Sequence, residues 1–318
     1  MRQTWSPKAA SRAAAVAIVV LCGLATSFVQ AADVKLEEAD GTVKVTVNGK
    51  PFAEYITSHA HQPMIWPIHG PTGLEMTDKA PADHKHHDSL WFTHGVVNGL
   101  DFWLEPGDRS NKGNTIKHRE FVTVESGDPG KLVTKNDWME GTTKIAEDER
   151  TMEFGSDKNG WWIDTTIIFT ASEGDVTFGD TKEGAFGVRV PATMVVDAKK
   201  GGKIRNSRGQ EDAVAWGMGA EWVDYSGPVG DSTAGITIFD MKDSYRHPTR
   251  WHVRTYGLFA ANPFGQRDFP RDPEHPQGET VVKKGETLKL HYRVLFYDGE
   301  RSSSDIAAIA KAYGATEK

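Results

Sequence analysis

The chain holds a single cysteine, Cys22, among 318 residues. That excludes an internal disulfide framework, and it excludes a thiol nucleophile anywhere beyond the N-terminal stretch. Long apolar runs are equally scarce. The one present, Ala13 to about Val29, sits at the N-terminus. No later segment is long and apolar enough to span a bilayer as a helix. Positive charge is in deficit, with 37 Lys and Arg against 44 Asp and Glu and a net charge of −7. This acidity argues against nucleic acid and anionic lipid as partners. There is no glycine-rich phosphate loop leading into a helix and no G-x-S-x-G elbow, which removes nucleotide-binding and α/β-hydrolase readings. No fixed-period repeat is visible, which argues against a propeller.

What is present begins with a leader pattern. Arg2, Lys8 and Arg12 precede the apolar run, Val29-Gln30-Ala31 supplies a cleavage-site triplet, and Ala32-Asp33 opens a polar stretch. Positive start, apolar middle and A-x-A-like end predict a secretory signal over residues 1–31. Leu21, directly before Cys22, stands where lipoprotein processing takes a small residue. Cleavage would leave 318 − 31 = 287 residues, with charge 34 − 44 = −10. The expected product is one exported domain, residues 32–318, periplasmic or extracellular, without a membrane partner after cleavage.

Strand signals dominate this part. Val43, Val45 and Val47 alternate with polar residues up to Asn48-Gly49, the pair favoured where both turn positions need positive φ, and Lys50–Ile56 reads as the return strand. Phe121–Glu125, Leu132–Asp137, Trp161–Thr170, Ala185–Met194, Gly235–Asp240 and Lys289–Tyr297 are rich in Val, Ile, Thr and aromatics between turn residues. Glu147–Arg150 reads as a solvated charged turn. One helix is expected near the C-terminus, capped at Ser304, running through Ile306–Tyr313 and stopped by Gly314. The fold class is mostly β: a large antiparallel β-sandwich with a short C-terminal helix and loops carrying the site.

Seven of the twelve histidines fall between His59 and His94. Read as extended chain, His84 and His86 share one face and His87 takes the other. Such a pair suits acid–base work, because imidazole titrates near neutrality, and it also admits a divalent metal ion with a carboxylate from elsewhere. No strict zinc spacing is present, so no metal ligand set is specified. The candidate catalytic residues are His87, His94, Glu183, Glu221 and Asp224. Glu183 stands just before a strand, and Glu221 and Asp224 lie among aromatics. For these carboxylates, ion pairs with Arg189 or Arg254 are the structural alternative. The candidate substrate-binding residues are His84, His86, Asn98, Trp103, Arg189, His252, Arg254 and Asn262. An arginine inside the apolar strand 185–190 needs a carboxylate or a ligand. His252 and Arg254 have strand spacing and share a face opposite Trp251 and Val253. Trp103 offers an aromatic wall beside polar groups, the mixture a sugar pocket requires. Trp91 and Phe92 read as core.

Taken together, these motifs carry a resemblance. His84-x-His86-His87 with Leu90-Trp91-Phe92, Asn98-Gly99-x-Asp101-Phe102-Trp103, Trp222-Val223-Asp224-Tyr225-Ser226-Gly227, and Trp251-His252-Val253-Arg254 with Asn262-Pro263-Phe264-Gly265 resemble a family of exported bacterial proteins labelled "methane oxygenase PmoA-like", a domain of unknown function. The family looks like galactose-mutarotase-type β-supersandwiches. That likeness implies carbohydrate chemistry, whereas a membrane oxygenase subunit would need several spanning helices. One departure is Asp88, where an arginine commonly follows the histidine pair.

The partner expected is a small-molecule or oligosaccharide ligand. Three functions remain open: an acid–base enzyme acting on a sugar by hydrolysis, elimination or epimerisation, a non-catalytic carbohydrate-binding protein, and a histidine-ligated metal enzyme.

Overall fold

The computed structural model describes residues 1–5, 32–108, 110–270 and 274–316. From residue 6 onward, the expected leader lies outside the described residues. In chain order the strands are β1 (Val34–Ala39), β2 (Thr42–Val47), β3 (Lys50–His59), β4 (Gln62–Ile68), β5 (Leu90–His94), β6 (Asn114–Glu125), β7 (Gly130–Glu140), β8 (Thr143–Asp157) and β9 (Gly160–Thr170). They continue as β10 (Val176–Phe178), β11 (Gly184–Arg189), β12 (Lys203–Asn206), β13 (Trp222–Val229), β14 (Ser232–Asp240), β15 (Arg250–Val253), β16 (Leu258–Asn262), β17 (Thr280–Val282) and β18 (Thr287–Asp298), before helix α1 (Ser303–Tyr313).

These strands build two eight-stranded sheets. The first runs β1-β2-β3-β4-β5-β11-β16-β15, the second β12-β13-β14-β18-β9-β8-β7-β6, and β10 pairs with β17 apart from both. Pairing is antiparallel throughout, as in β2–β3, β11–β16 and β8–β9. The hairpin between β2 and β3 turns on Asn48 (φ 51°) and Gly49 (φ 76°), both left-handed as their residue types allow.

Between the sheets lies a core with one aromatic hub at Phe52, whose ring meets Phe154, Trp161 and Phe296 at 5.1–6.1 Å. A second hub is Trp138, against Phe92, Phe102 and Phe169. On the outer side of the second sheet, Ile306, Ile309 and Ala310 of α1 cover Trp222, Phe239, Leu295 and Tyr297. The helix ends at Gly314 as its sequence indicates, but its cap is Ser302, which forms a capping box with Asp305.

Glu147–Arg150 is not a turn. It lies within β8, where strand alternation turns Asp148 and Arg150 inward. Their burial is stable because both oxygens of Asp148 are occupied. Arg150 donates from Nε at 2.8 Å, Asn136 Nδ2 at 2.7 Å and Trp138 Nε1 at 2.7 Å. Four consecutive charges look solvated only if alternation is ignored. Likewise the strand expected over 185–194 ends at Arg189.

Candidate functional site

Sheet register decides what lies on the outer face of the first sheet. Met64, Trp91, Gly187, Ala260 and His252 stand in one row across β4, β5, β11, β16 and β15. Gly187 is required here, because a Cβ would stand 2.9 Å from the Trp91 ring that lies across it. Small residues at 187 and 260 thus leave a flat floor between Trp91 and His252. The next row along β11 brings Arg189 to the same face.

Two loops and two turns wall this floor. The loop from Lys79 to Asp88 closes on itself through a bridge between those two residues. Within it His87 N donates to the His84 carbonyl at 3.0 Å. The segment is therefore two successive turns rather than extended chain. His84 and His87 stack with centroids 4.7 Å apart at 12°, and His86 stands edge-on to both. The pairing is His84 with His87, not His84 with His86. Tyr256 lies nearly parallel to both rings, 4.7 Å from His84 at 6° and 6.5 Å from His87 at 7°.

The second loop hangs on Asp101. Its carboxylate accepts from the backbone of Trp103 (2.8 Å) and Leu104 (3.0 Å) and from Ser110, which fixes Trp103 against His86 and His87. A turn at Thr181–Glu183 and the β15–β16 turn supply the remaining wall. Together they enclose a cleft of about 840 Å³ lined by His84, His86, His87, Trp103, Glu183, His252, Arg254 and Tyr256, with Asp83, Lys85, Asp101, Glu105, Asp108 and Lys182 around them.

Three histidines here, His86, His87 and His252, are held as neutral imidazoles. Burial, with the charges of Lys182 and Arg254, depresses His252 to about 3, and burial beside His84 depresses His86 to about 4. His87 is driven well down by burial, His86 and Arg189. A hydrogen bond selects the tautomer of His87. Arg189 Nη1 donates to His87 Nδ1 at 3.0 Å, which puts the ring proton of His87 on Nε2. The Lys182 carbonyl acts on the His252 ring against the effect of burial, and Nδ1 of that ring is buried and unpartnered. That nitrogen lies 4.0 Å from Glu183 Oε2, and Glu183 is paired on its other side with Lys182. Asp83 is held below the usual carboxylate range: desolvation raises it, but the His84 hydrogen bond and the Arg189 charge outweigh that. Burial raises Tyr256, which keeps its hydroxyl protonated.

Of the thirteen candidate residues, seven line the cleft: His84, His86, His87, Trp103, Glu183, His252 and Arg254. Arg189 supports them from behind, held by His87 and by Asp83 at 3.5 Å. The other five are elsewhere. His94 has the strand parity of Phe92 and points into the sandwich, between Phe178 and Phe264, where Nε2 donates to the Gly179 carbonyl at 2.8 Å. Asp224 lies on the second sheet beneath α1, its oxygens taken by Thr237 (2.8 Å), Tyr297 (2.8 Å) and Arg205 (2.6 Å). Glu221 binds Ser207 and Arg208. The carboxylate partners are thus Arg205 and Arg208, not Arg189 or Arg254. Asn98 is a left-handed turn residue (φ 54°) whose Oδ1 accepts from Thr177 N at 2.8 Å. Asn262 donates to the Thr181 and Lys182 carbonyls at 2.9 and 3.0 Å, so it shapes the turn that presents Glu183.

Sequence reasoning missed Tyr256, Asp101 and Lys182. Tyr256 and Lys182 carried a usable signal, since Lys182 adjoins Glu183 and Tyr256 lies two residues after Arg254, each beside a strand end. Among the described residues, no group of three or more His, Cys, Asp or Glu is arranged to hold a metal ion. The parallel stack of His84 and His87 explains this, because their ring nitrogens do not converge.

Fold and cleft together define an antiparallel β-sandwich protein with a polar cleft on the outer face of one sheet. The chain belongs to a family of unknown function, DUF6807, whose model matches residues 42–311. The PmoA-like label is not what this match carries. No curated protein matches the chain. Among solved structures, a Glycoside Hydrolase Family 97 enzyme from Pseudoalteromonas sp. strain K8 is similar at 10% identity and TM-score 0.35, over 85% of this chain and 34% of that one. Heparan sulfate lyase HepC from Pedobacter heparinus is similar at 10% identity and TM-score 0.33, over 83% and 31%. A 4-alpha-glucanotransferase from Thermococcus litoralis is similar at 11% identity and TM-score 0.34, over 84% and 39%. The chain thus spans about a third of the length of the structures it matches.

Proposed function

We propose that the cleft binds a sugar and performs acid–base chemistry on it. The observation that carries this reading is the facing pair on the floor, the unpartnered His252 Nδ1 4.0 Å from Glu183 Oε2. A hydroxyl oxygen placed between them is within hydrogen-bond reach of both, donating to one while the other orients it. Glu183 is the proton-transferring group. His252, neutral across the physiological range, positions the reacting oxygen. His87 Nε2–H and the Tyr256 hydroxyl are donors for other ring oxygens, and Tyr256 supplies aromatic surface for the apolar face of a sugar, while the buried Trp103 backs the wall. Hydrolysis, elimination and epimerisation all need such a proton-transferring pair.

The test is turnover of a glycoside and oligosaccharide panel by the purified protein, with E183Q and H252N beside it. Loss of turnover in E183Q with binding retained supports the reading. Full turnover in both variants overturns it. Binding without turnover by any form makes the protein a carbohydrate-binding module. We further propose that residues 1–31 are a cleaved export leader, on the pattern of Arg2, Lys8, Arg12 and the apolar run up to Ala31. N-terminal sequencing of the protein recovered from outside the cytoplasm should begin at Ala32, and a retained Met1 would refute this.

A further inference from the structure

The charges of the cleft do not cancel. Asp83 is engaged by His84 (2.9 Å) and Arg189, Glu183 by Lys182, and Asp101 by its own loop. Among the described residues Lys85, Glu105 and Asp108 on the lining have no ion pair, and neither has Arg254, the cation that directly follows β15, the strand of His252. No carboxylate among the described residues lies within ion-pair distance of its guanidinium. Instead that group sits between two aromatic rings, 5.6 Å from the Trp216 centroid and 5.3 Å from that of Tyr256. Its backbone is fixed as well, with Arg254 N donating to the Leu258 carbonyl at 2.8 Å. The rings flank the guanidinium, and Arg254 lines the cleft together with His252. A stacked arginine keeps its full charge and its fork of donors, and it loses little freedom when a planar anion docks. Such a fork matches a carboxylate or a sulfate bidentately.

We infer that Arg254 selects sugars bearing an anionic substituent, a uronate carboxylate or a sulfate ester, over their neutral counterparts. This rests on the sugar reading of the cleft and narrows it to acidic glycans. The anion occupies the Arg254 end, and the ring hydroxyls reach Glu183, His252 and His87. Lys182 is already paired with Glu183, and Lys85 is exposed on a flexible stem, so the charge preference is assigned to Arg254.

The experiment is calorimetric titration of wild type, R254Q and R254K with matched probes. Tetragalacturonate is compared with its neutral methyl ester, a sulfated galactan oligosaccharide with its desulfated form, and inorganic sulfate serves as an anion without a sugar. Melting curves confirm that each variant is folded. The expected result is at least tenfold tighter binding of the acidic member of one pair by wild type. R254Q should abolish that preference while keeping affinity for the neutral member, and R254K should retain part of it. The pair that discriminates identifies carboxylate or sulfate. Equal binding of charged and neutral members, or a preference unchanged in R254Q, overturns the inference and leaves the sugar reading standing. If no glycan binds but sulfate does, and only with Arg254 present, the sugar reading fails and anion recognition stands. If nothing binds, both fail.

Discussion

Asp224 and Glu183 look alike in sequence, each an acid beside aromatics and a strand, yet they sit in opposite kinds of surroundings. Asp224 is fully buried on the second sheet, and both its oxygens accept hydrogen bonds from within the protein. Glu183 is partly exposed on the first sheet, and it faces a buried histidine nitrogen that has no partner. Burial is costly for both kinds of group, and the protein offsets that cost completely at Asp224 but not around Glu183. A closed polar network holds the sandwich together. An open one, at the floor of a cleft, leaves hydrogen-bonding capacity unused.

Acidification sharpens this contrast with the largest expected effect. His87, His94 and His252 are buried and titrate well below their unfolded values. Below pH about 6.5 the unfolded chain takes up protons that the folded one refuses, so stability falls as pH drops. The rate is about 1.4 kcal/mol per pH unit for each such histidine. For His94 the loss levels off near its folded value of about 4. His247, raised by its hydrogen bond to Asp240, and His291, raised by Asp164 against the pull of burial, oppose the trend. Denaturant midpoints measured from pH 7 to 4.5 should fall steadily; a flat profile would mean that the cleft histidines are solvated.

Substitution at the two acids comes next. Asp224→Ala strands Arg205 beneath α1 and should cost about 3–5 kcal/mol in denaturant unfolding. Glu183→Gln should leave stability within about 1 kcal/mol of wild type while lowering turnover by about 100-fold or more. If Glu183→Gln unfolds the protein and Asp224→Ala does not, closed and open have been assigned the wrong way round. The smallest effect is at Asn98. Asn98→Ala loses the Thr177 hydrogen bond and puts alanine, which tolerates the left-handed region less well than asparagine, at φ 54°, a loss of about 1–2 kcal/mol in unfolding free energy, with ligand affinity unchanged. A change in affinity would return Asn98 to the site.

Much of this was legible locally. Alternation at Val43, Val45 and Val47, the Asn48-Gly49 turn and the Gly314 stop are short-range signals, because the hydrogen bonds they specify close within a few residues. Alternation also explains the misreading of Glu147–Arg150, where composition suggested solvent and parity put two of the four charges in the core. At the site, the density of histidines pointed to the right stretch. It could not separate His94, on the core face of β5, from His87, in the loop before it, because a strand's parity is known only once its partners are.

The amino-acid sequence by itself determined the strand-rich class, the turns, the C-terminal helix and a shortlist of polar residues. All of these follow from backbone preference and side-chain period. The tertiary structure alone decided which members of that shortlist meet. His84–His87, Glu183 and His252–Tyr256 come from distant parts of the chain. They converge only because β5, β11, β16 and β15 pair in one register, which aligns Trp91, Gly187, Ala260 and His252 in a single row. Register is a property of paired strands, and a shift of one residue would turn every one of these side chains to the opposite face.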